Sequence, residues 1–148
     1  MTHRRDAIAA ELEKGLAETV SFFRSLSPDE LRTQVYPDGA QWTVQQVLAH
    51  FAAIERSMQT LFRNILAGGP GAPPDFDFER YNRSQTGKYA GLTTDELIER
   101  FTAVRGETIR IVREMQGEDL DREGYACLSR PGQARPFHPL GIRPRAFA

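Results

Sequence analysis

Thr43-Val44-Gln45-Gln46-Val47-Leu48-Ala49-His50-Phe51-Ala52-Ala53-Ile54-Glu55-Arg56-Ser57-Met58-Gln59-Thr60-Leu61-Phe62-Arg63-Asn64-Ile65-Leu66 carries one period from end to end. Val44, Val47, Leu48, Phe51, Ile54, Met58, Leu61, Phe62 and Ile65 recur at three- and four-residue spacing, which puts them on one broad face of a helix over about 44–66. Thr43 is a good N-cap, and Gln46 three residues on completes a capping box. Gly68-Gly69-Pro70-Gly71 ends the helix, because glycine suits the C-terminal cap and proline cannot continue the hydrogen-bond ladder.

The same period appears on both sides of this segment. Upstream, Ile8, Leu12, Leu16, Val20, Phe22, Phe23 and Leu26 predict a helix over about 4–26. Pro28 disfavours helical geometry at Ser27 and can open a short following helix. Tyr36-Pro37-Asp38-Gly39 then signals a turn in the connector. Downstream, Leu97, Phe101, Val104, Thr108, Ile111, Val112 and Met115 share a face, predicting a third long helix over about 94–116 that Gly117 ends. Thr93 or Thr94 starts it, with Asp95 and Glu96 placed to meet the positive end of its dipole. Between the second and third long helices, 72–92 is too long for a simple loop. Phe76, Phe78 and Tyr81 anchor it, so it is expected to cross the bundle with a short helix near Phe78 to Gln85.

Three amphipathic helices without strand signals give an all-α fold. The chain is expected to be one domain, a helical bundle over 1–126 followed by an irregular Arg/Pro-rich tail over 127–148. Pro131, Pro136, Pro139 and Pro144 forbid a long helix in that tail.

Composition excludes several functions. The chain has 148 residues, 40% hydrophobic and 26% charged, as in ordinary globular proteins. Its 19 basic and 20 acidic side chains are interspersed, which argues against nucleic acid as a partner. No apolar run approaches the ~20 residues needed to span a bilayer, and the N-terminus lacks a signal-peptide centre. Cys127 is the only cysteine, so an intramolecular disulfide is excluded. A reducing cytoplasm is the expected location.

Trp42-Thr43-Val44-Gln45-Gln46-Val47-Leu48-Ala49-His50 resembles the signature of the DinB-like (damage-inducible) four-helix family, which places a tryptophan just before its second helix and a histidine two turns inside it. Phe76-Asp77-Phe78 with Asn82 resembles the family's connector, and Leu92-Thr93-Thr94-Asp95-Glu96-Leu97 the start of its third helix. The resemblance covers roughly 9–125. It implies an up-down bundle with a long crossover, often a homodimer, around a divalent metal, commonly nickel or zinc, held by three histidines. It also implies thiol-dependent transferase, isomerase or small-molecule hydrolase chemistry. His50 matches the first ligand; the other two form a His-x-x-x-His pair on the fourth helix. This chain holds only His3, His50 and His138, and no such pair. The fourth helix is therefore expected to be degraded or missing, with the tail after about Tyr125 a truncated or frameshifted replacement, and the metal absent or weakly bound.

His50 and Glu55 keep two readings each. His50 is a metal ligand or a half-buried histidine hydrogen-bonded to a neighbour. His138, between Phe137 and Pro139, could complete a site only by folding back, and His3 belongs to an exposed terminus. Glu55 falls inside the apolar face, where an unpaired carboxylate is costly. It is a metal or acid/base carboxylate, or more simply the partner of an arginine such as Arg105. Trp42 plugs the bundle end and Asn82 caps a turn. Cys127 is structural or incidental rather than a nucleophile, and Arg100, Arg105, Arg110 and Arg113 form a solvated face with Glu99, Glu107 and Glu114. Two functional classes follow. One is a DinB-like metal-dependent enzyme acting on a small electrophile or thiol adduct; the other is a non-catalytic binding or stress-response bundle, a homodimer with a small-molecule ligand at most. No catalytic residue is assigned.

Overall fold

Two of the three long helices start where a hydroxyl side chain accepts a free amide of the first turn. Thr43 opens α3 (Val44–Leu66) and Thr93 opens α5 (Thr94–Glu114), both through complete capping boxes, with Gln46 and Glu96 respectively. Ser27 and Glu30 form a third capping box on the single-turn α2 (Pro28–Leu31), where Pro28 occupies the first turn. The remaining helices are α1 (Thr2–Ser25) and α4 (Phe78–Gly87). The computed structural model describes residues 2–35, 42–73, 75–122, 124–126 and 135–137. All-α architecture holds, with helix boundaries within two residues of those read from the periodicity.

Helix α3 stops at Leu66, and Gly68 takes a positive φ of 87° just beyond it, a conformation that favours glycine. Helix α5 stops at Glu114, three residues before Gly117, because Met115 turns to an extended backbone at ψ 141°. A 3-10 turn (Gly117–Asp121) follows. Two short strands were not anticipated: β1 (Gly124–Ala126) and β2 (Arg135–Phe137) pair antiparallel, with Tyr125 opposite Pro136. In a two-strand pair both strands are edges, where proline is tolerated. The irregular tail therefore contains one paired segment. The turn signal at 36–39, Cys127 and His138 lie outside the described residues. No long helix follows α5 among the described residues.

The order of contacts fixes the topology. Arg5 Nη1 donates to Met115 O at 3.1 Å, joining the start of α1 to the end of α5, so these two helices run antiparallel. Gln45 meets Leu92 while Gln59 meets Val104 and Thr108, so α3 and α5 run in the same direction. Parallel neighbours need a return path, and α4 supplies it. Tyr81 lies at Ser57, deep in α3, and Thr86 lies beside Ala49 near the head of α3, so α4 travels back along α3. This is the long crossover expected from the length of 72–92.

The main core collects Phe23 from α1, Leu48, Ala49 and Ala52 from α3, and Leu97, Ile98 and Phe101 from α5. Ala9, Ile109 and Val112 continue it toward the other end, where Ile111, Met115 and Leu120 close it. Charged pairs decorate the outside. Arg110 binds both Glu107 and Glu114, and its hydrogen bonds hold the Glu107 carboxyl below its usual range. Arg113 pairs with Glu13 of α1.

Leu48 is fully buried while Phe22 is 55% exposed. Leu48→Ala should cost about 2–5 kcal/mol in urea unfolding. Phe22→Ala should cost less than about 1 kcal/mol. Equal losses would contradict this placement of the core.

Candidate functional site

Three groups of polar side chains lie against the inner helix faces. The first is His50. A β-bridge between Gln34 and Thr43, with Val35 N donating to Trp42 O at 2.8 Å, fixes the chain just before α3. Trp42 is thereby set over the first turns, and its ring centroid lies 4.8 Å from that of His50 at a 39° tilt. Phe51 lies on another side, 6.4 Å between centroids. The imidazole is half-buried, and its Nδ1 is buried with no hydrogen-bond partner. That departs from the hydrogen-bonded histidine among the sequence expectations. Burial without a compensating acceptor or anion disfavours the imidazolium, so the His50 pKa is pushed below its ordinary value.

The second group is an ion pair. Arg105 Nε lies 2.8 Å from Glu55 Oε1, and Nη2 donates to Oε2 at 3.1 Å. The side chains are 20% and 14% exposed. Arg105 is therefore not part of a solvated face: it satisfies the carboxylate that interrupts the apolar stripe of α3. Its guanidinium also lies 5.2 Å from the Phe101 ring centroid. The pair opens on a cavity of about 170 Å³ lined by Ile8, Leu12, Met58, Phe62 and Thr108. One turn further, buried Gln59 donates to Val104 O at 2.6 Å and to Thr108 Oγ1 at 3.0 Å. These contacts tie α3 to α5 through polar groups inside the core.

The third group lies between the head of α3, the end of α4 and the 88–92 turn. Ala49, Ala53 and Ser57 recur at four-residue spacing on α3, and Ser57 Oγ lies 2.7 Å from Tyr81 Oη of α4. Small residues on this stripe let α4 approach closely. Gln45 Nε2 donates to Leu92 O at 3.1 Å and ties the head of α3 to the entry of α5. The result is an open groove of about 390 Å³, walled by Trp42, Tyr89, Leu92 and Leu97, with Arg83 and Thr86 on its α4 side. Asn82 and Thr86 occupy one face of α4, are 9% and 6% exposed, and hold Oδ1 and Oγ1 buried without a partner. Asn82 sits inside α4 rather than capping it; Asp77 caps α4 by accepting from Arg80 N at 3.0 Å.

The sequence singled out His50, Glu55 and Trp42, and the structure brings Trp42 to His50 and Arg105 to Glu55. It does not bring His50 and Glu55 into one cluster with a further donor. Among the described residues no three His, Cys, Asp or Glu side chains gather where a metal could bind. His3 is exposed on α1. Arg83 and Thr86 were missed. Their only sequence signal is that they stand two residues after Tyr81 and four after Asn82 in a short helix, which marks no chemistry by itself.

A family model described as DinB superfamily matches residues 11–140, and the chain belongs to that superfamily. The match passes Tyr125 by fifteen residues, further than the motifs alone reach. No curated protein and no solved structure matches the chain.

Two outcomes follow from the buried groups. Glu55→Ala leaves Arg105 buried and unpaired and should cost about 3–5 kcal/mol, whereas Glu55→Met with Arg105→Met should be near neutral or stabilising. Additive losses in urea unfolding would contradict a paired site. For His50, the folded chain refuses a proton that the unfolded chain accepts. Stability is therefore unaffected by this group above about pH 6.5 and falls as pH drops from there through the lowered folded value. An NMR titration should place the His50 midpoint below 6.5; a midpoint above it would overturn the burial argument.

Proposed function

We propose that this member of the DinB superfamily is a small-molecule-binding bundle, with the groove between α3, α4 and the 88–92 turn as its binding site. The observation that carries the reading is a partly apolar concavity of about 390 Å³ whose polar side holds a buried, unpartnered hydroxyl. Concave, mainly apolar sites with a few convergent polar groups are the usual form of small-molecule sites. A binding or stress-response role needs nothing further from the described residues.

The second reading is a divalent-metal enzyme of the thiol-dependent transferase or hydrolase type, with nickel or zinc and His50 as a ligand. The orphaned Nδ1 of His50 favours it, since a neutral ring nitrogen without a competing hydrogen bond is a fit donor. The rest of the donor set does not fit. A catalytic zinc is ordinarily held by three protein ligands, and the described residues gather no three candidates. His50 is then one surviving ligand position, and no chemical step is derived through a metal.

Partner and location complete the proposal. Exposed Phe22 and Phe51 support a homodimer, in which apolar surface of this kind is covered. No described helix is long and apolar enough to cross a membrane, and with a single cysteine this supports a cytoplasmic setting. Light scattering should give twice the chain mass; a monomeric mass would remove the dimer.

Metal analysis of protein purified without a histidine tag separates the two readings. The binding reading expects sub-stoichiometric nickel and zinc, unchanged by His50→Ala. Stoichiometric metal that His50→Ala abolishes would overturn it in favour of the enzyme. A fragment screen read by the indole N–H signal of Trp42 should yield groove ligands, and a screen without any would remove the binding reading.

A further inference from the structure

The groove has a chemical polarity that its volume does not convey. Among the described residues that line it, none is acidic. On its α4 side Arg83 is exposed, and its guanidinium makes no ion pair or hydrogen bond among the described residues. Next to it, Thr86 is 6% exposed and its Oγ1 has no partner. A buried hydroxyl left unmade costs free energy comparable to the hydrogen bond it lacks; Thr86 lines the groove, so a group that displaces the atoms covering Oγ1 gains that bond. The first turn of α3, capped by Thr43, also lines the groove. The side walls are aromatic and aliphatic. Tyr89 presents its ring, with the Arg100 guanidinium 5.3 Å from the centroid and adding a second positive charge beside the wall.

Resting on the binding reading above, we propose that this groove selects small organic carboxylates with a flat apolar body. The carboxylate lies between Arg83 and the Thr86 hydroxyl, and the body lies between Trp42 and Tyr89 over Ala49. Arginine matches the fork of a carboxylate, and a charge-assisted hydrogen bond is about twice as strong as a neutral one. The apolar walls exclude a bare inorganic anion as the preferred occupant, because such an ion leaves the aromatic surface wet.

The chain has one tryptophan, and it lines this groove, so its fluorescence reports directly on occupancy. The probe is benzoate, with benzamide as its neutral counterpart. Benzoate should saturably change the Trp42 emission and bind about tenfold tighter than benzamide. Arg83→Gln, at an exposed position, should remove that preference while leaving benzamide binding intact. Thr86→Val should weaken benzoate without lowering Tm, since the hydroxyl it removes makes no bond in the free protein.

Benzoate affinity unaltered in Arg83→Gln would overturn the proposal, as would complete displacement of benzoate by inorganic phosphate at equal concentration. Benzamide binding as tightly as benzoate would refute carboxylate selection and leave the groove a site for neutral molecules. Absence of binding by both probes would refute the proposal, with the fragment screen deciding whether the groove binds anything.

Discussion

Helix α5 has to bury apolar side chains along two directions at once, and the rest of the bundle follows from how it does so. Leu97, Ile98 and Phe101 face the core that Phe23 and Leu48 share, while Ile109 and Val112 face Ala9 on α1. Fully burying one such aliphatic side chain contributes about 1.5–3 kcal/mol, so a helix with this many has no stable position outside the bundle. Its direction is set by polar contacts. Gln45 with Leu92 at the entry of α5, then Glu55 with Arg105 and Gln59 with Thr108 on α5 itself, follow in order along α3. A reversed α5 would break all three and leave buried polar groups unsatisfied.

The parallel alignment of α3 and α5 creates the candidate binding groove as a by-product. A chain leaving α3 at Leu66 must return to the head of α3 before α5 can begin, and α4 occupies that return path. Where α4 ends, its last turn, the first turn of α3 and the entry to α5 meet around a groove that no described side chain fills completely. Loops and element ends held by a rigid scaffold are where binding groups concentrate. His50 stands one residue past Ala49, pressed against Trp42, so Trp42 is common to the imidazole rim and the groove wall. That shared ring makes the two sites neighbours, although their polar groups are distinct.

Most of the fold was legible because it depends on local, periodic signals. The stripe from Val44 to Ile65, the caps at Thr43 and Thr93 and the break after Leu66 each have a physical cause within a few residues. The pairing of Glu55 with Arg105 was legible too, since a carboxylate inside an apolar face demands a cation and few arginines can reach it. What stayed hidden depends on contacts between distant segments. Thr86 looks like any polar residue in a short polar helix until α4 is laid on the alanine stripe of α3. The orphaned Nδ1 of His50 was equally invisible, because the sequence shows an imidazole at the edge of a face but not whether an acceptor reaches it. The β1–β2 pair was missed because strands of three residues, one containing Pro136, fall below the length at which alternation is readable.

Native-state hydrogen exchange tests the central claim most directly. If α5 is the helix on which the bundle is assembled, the amides from Ile98 to Val112 exchange only through global unfolding, with protection matching the full unfolding free energy. The amides of α4, held on one side by α3, exchange sooner through local opening. An α5 that opens locally while α1 and α3 remain protected, or an α4 as protected as α5, would contradict this account of the bundle and of the groove it forms.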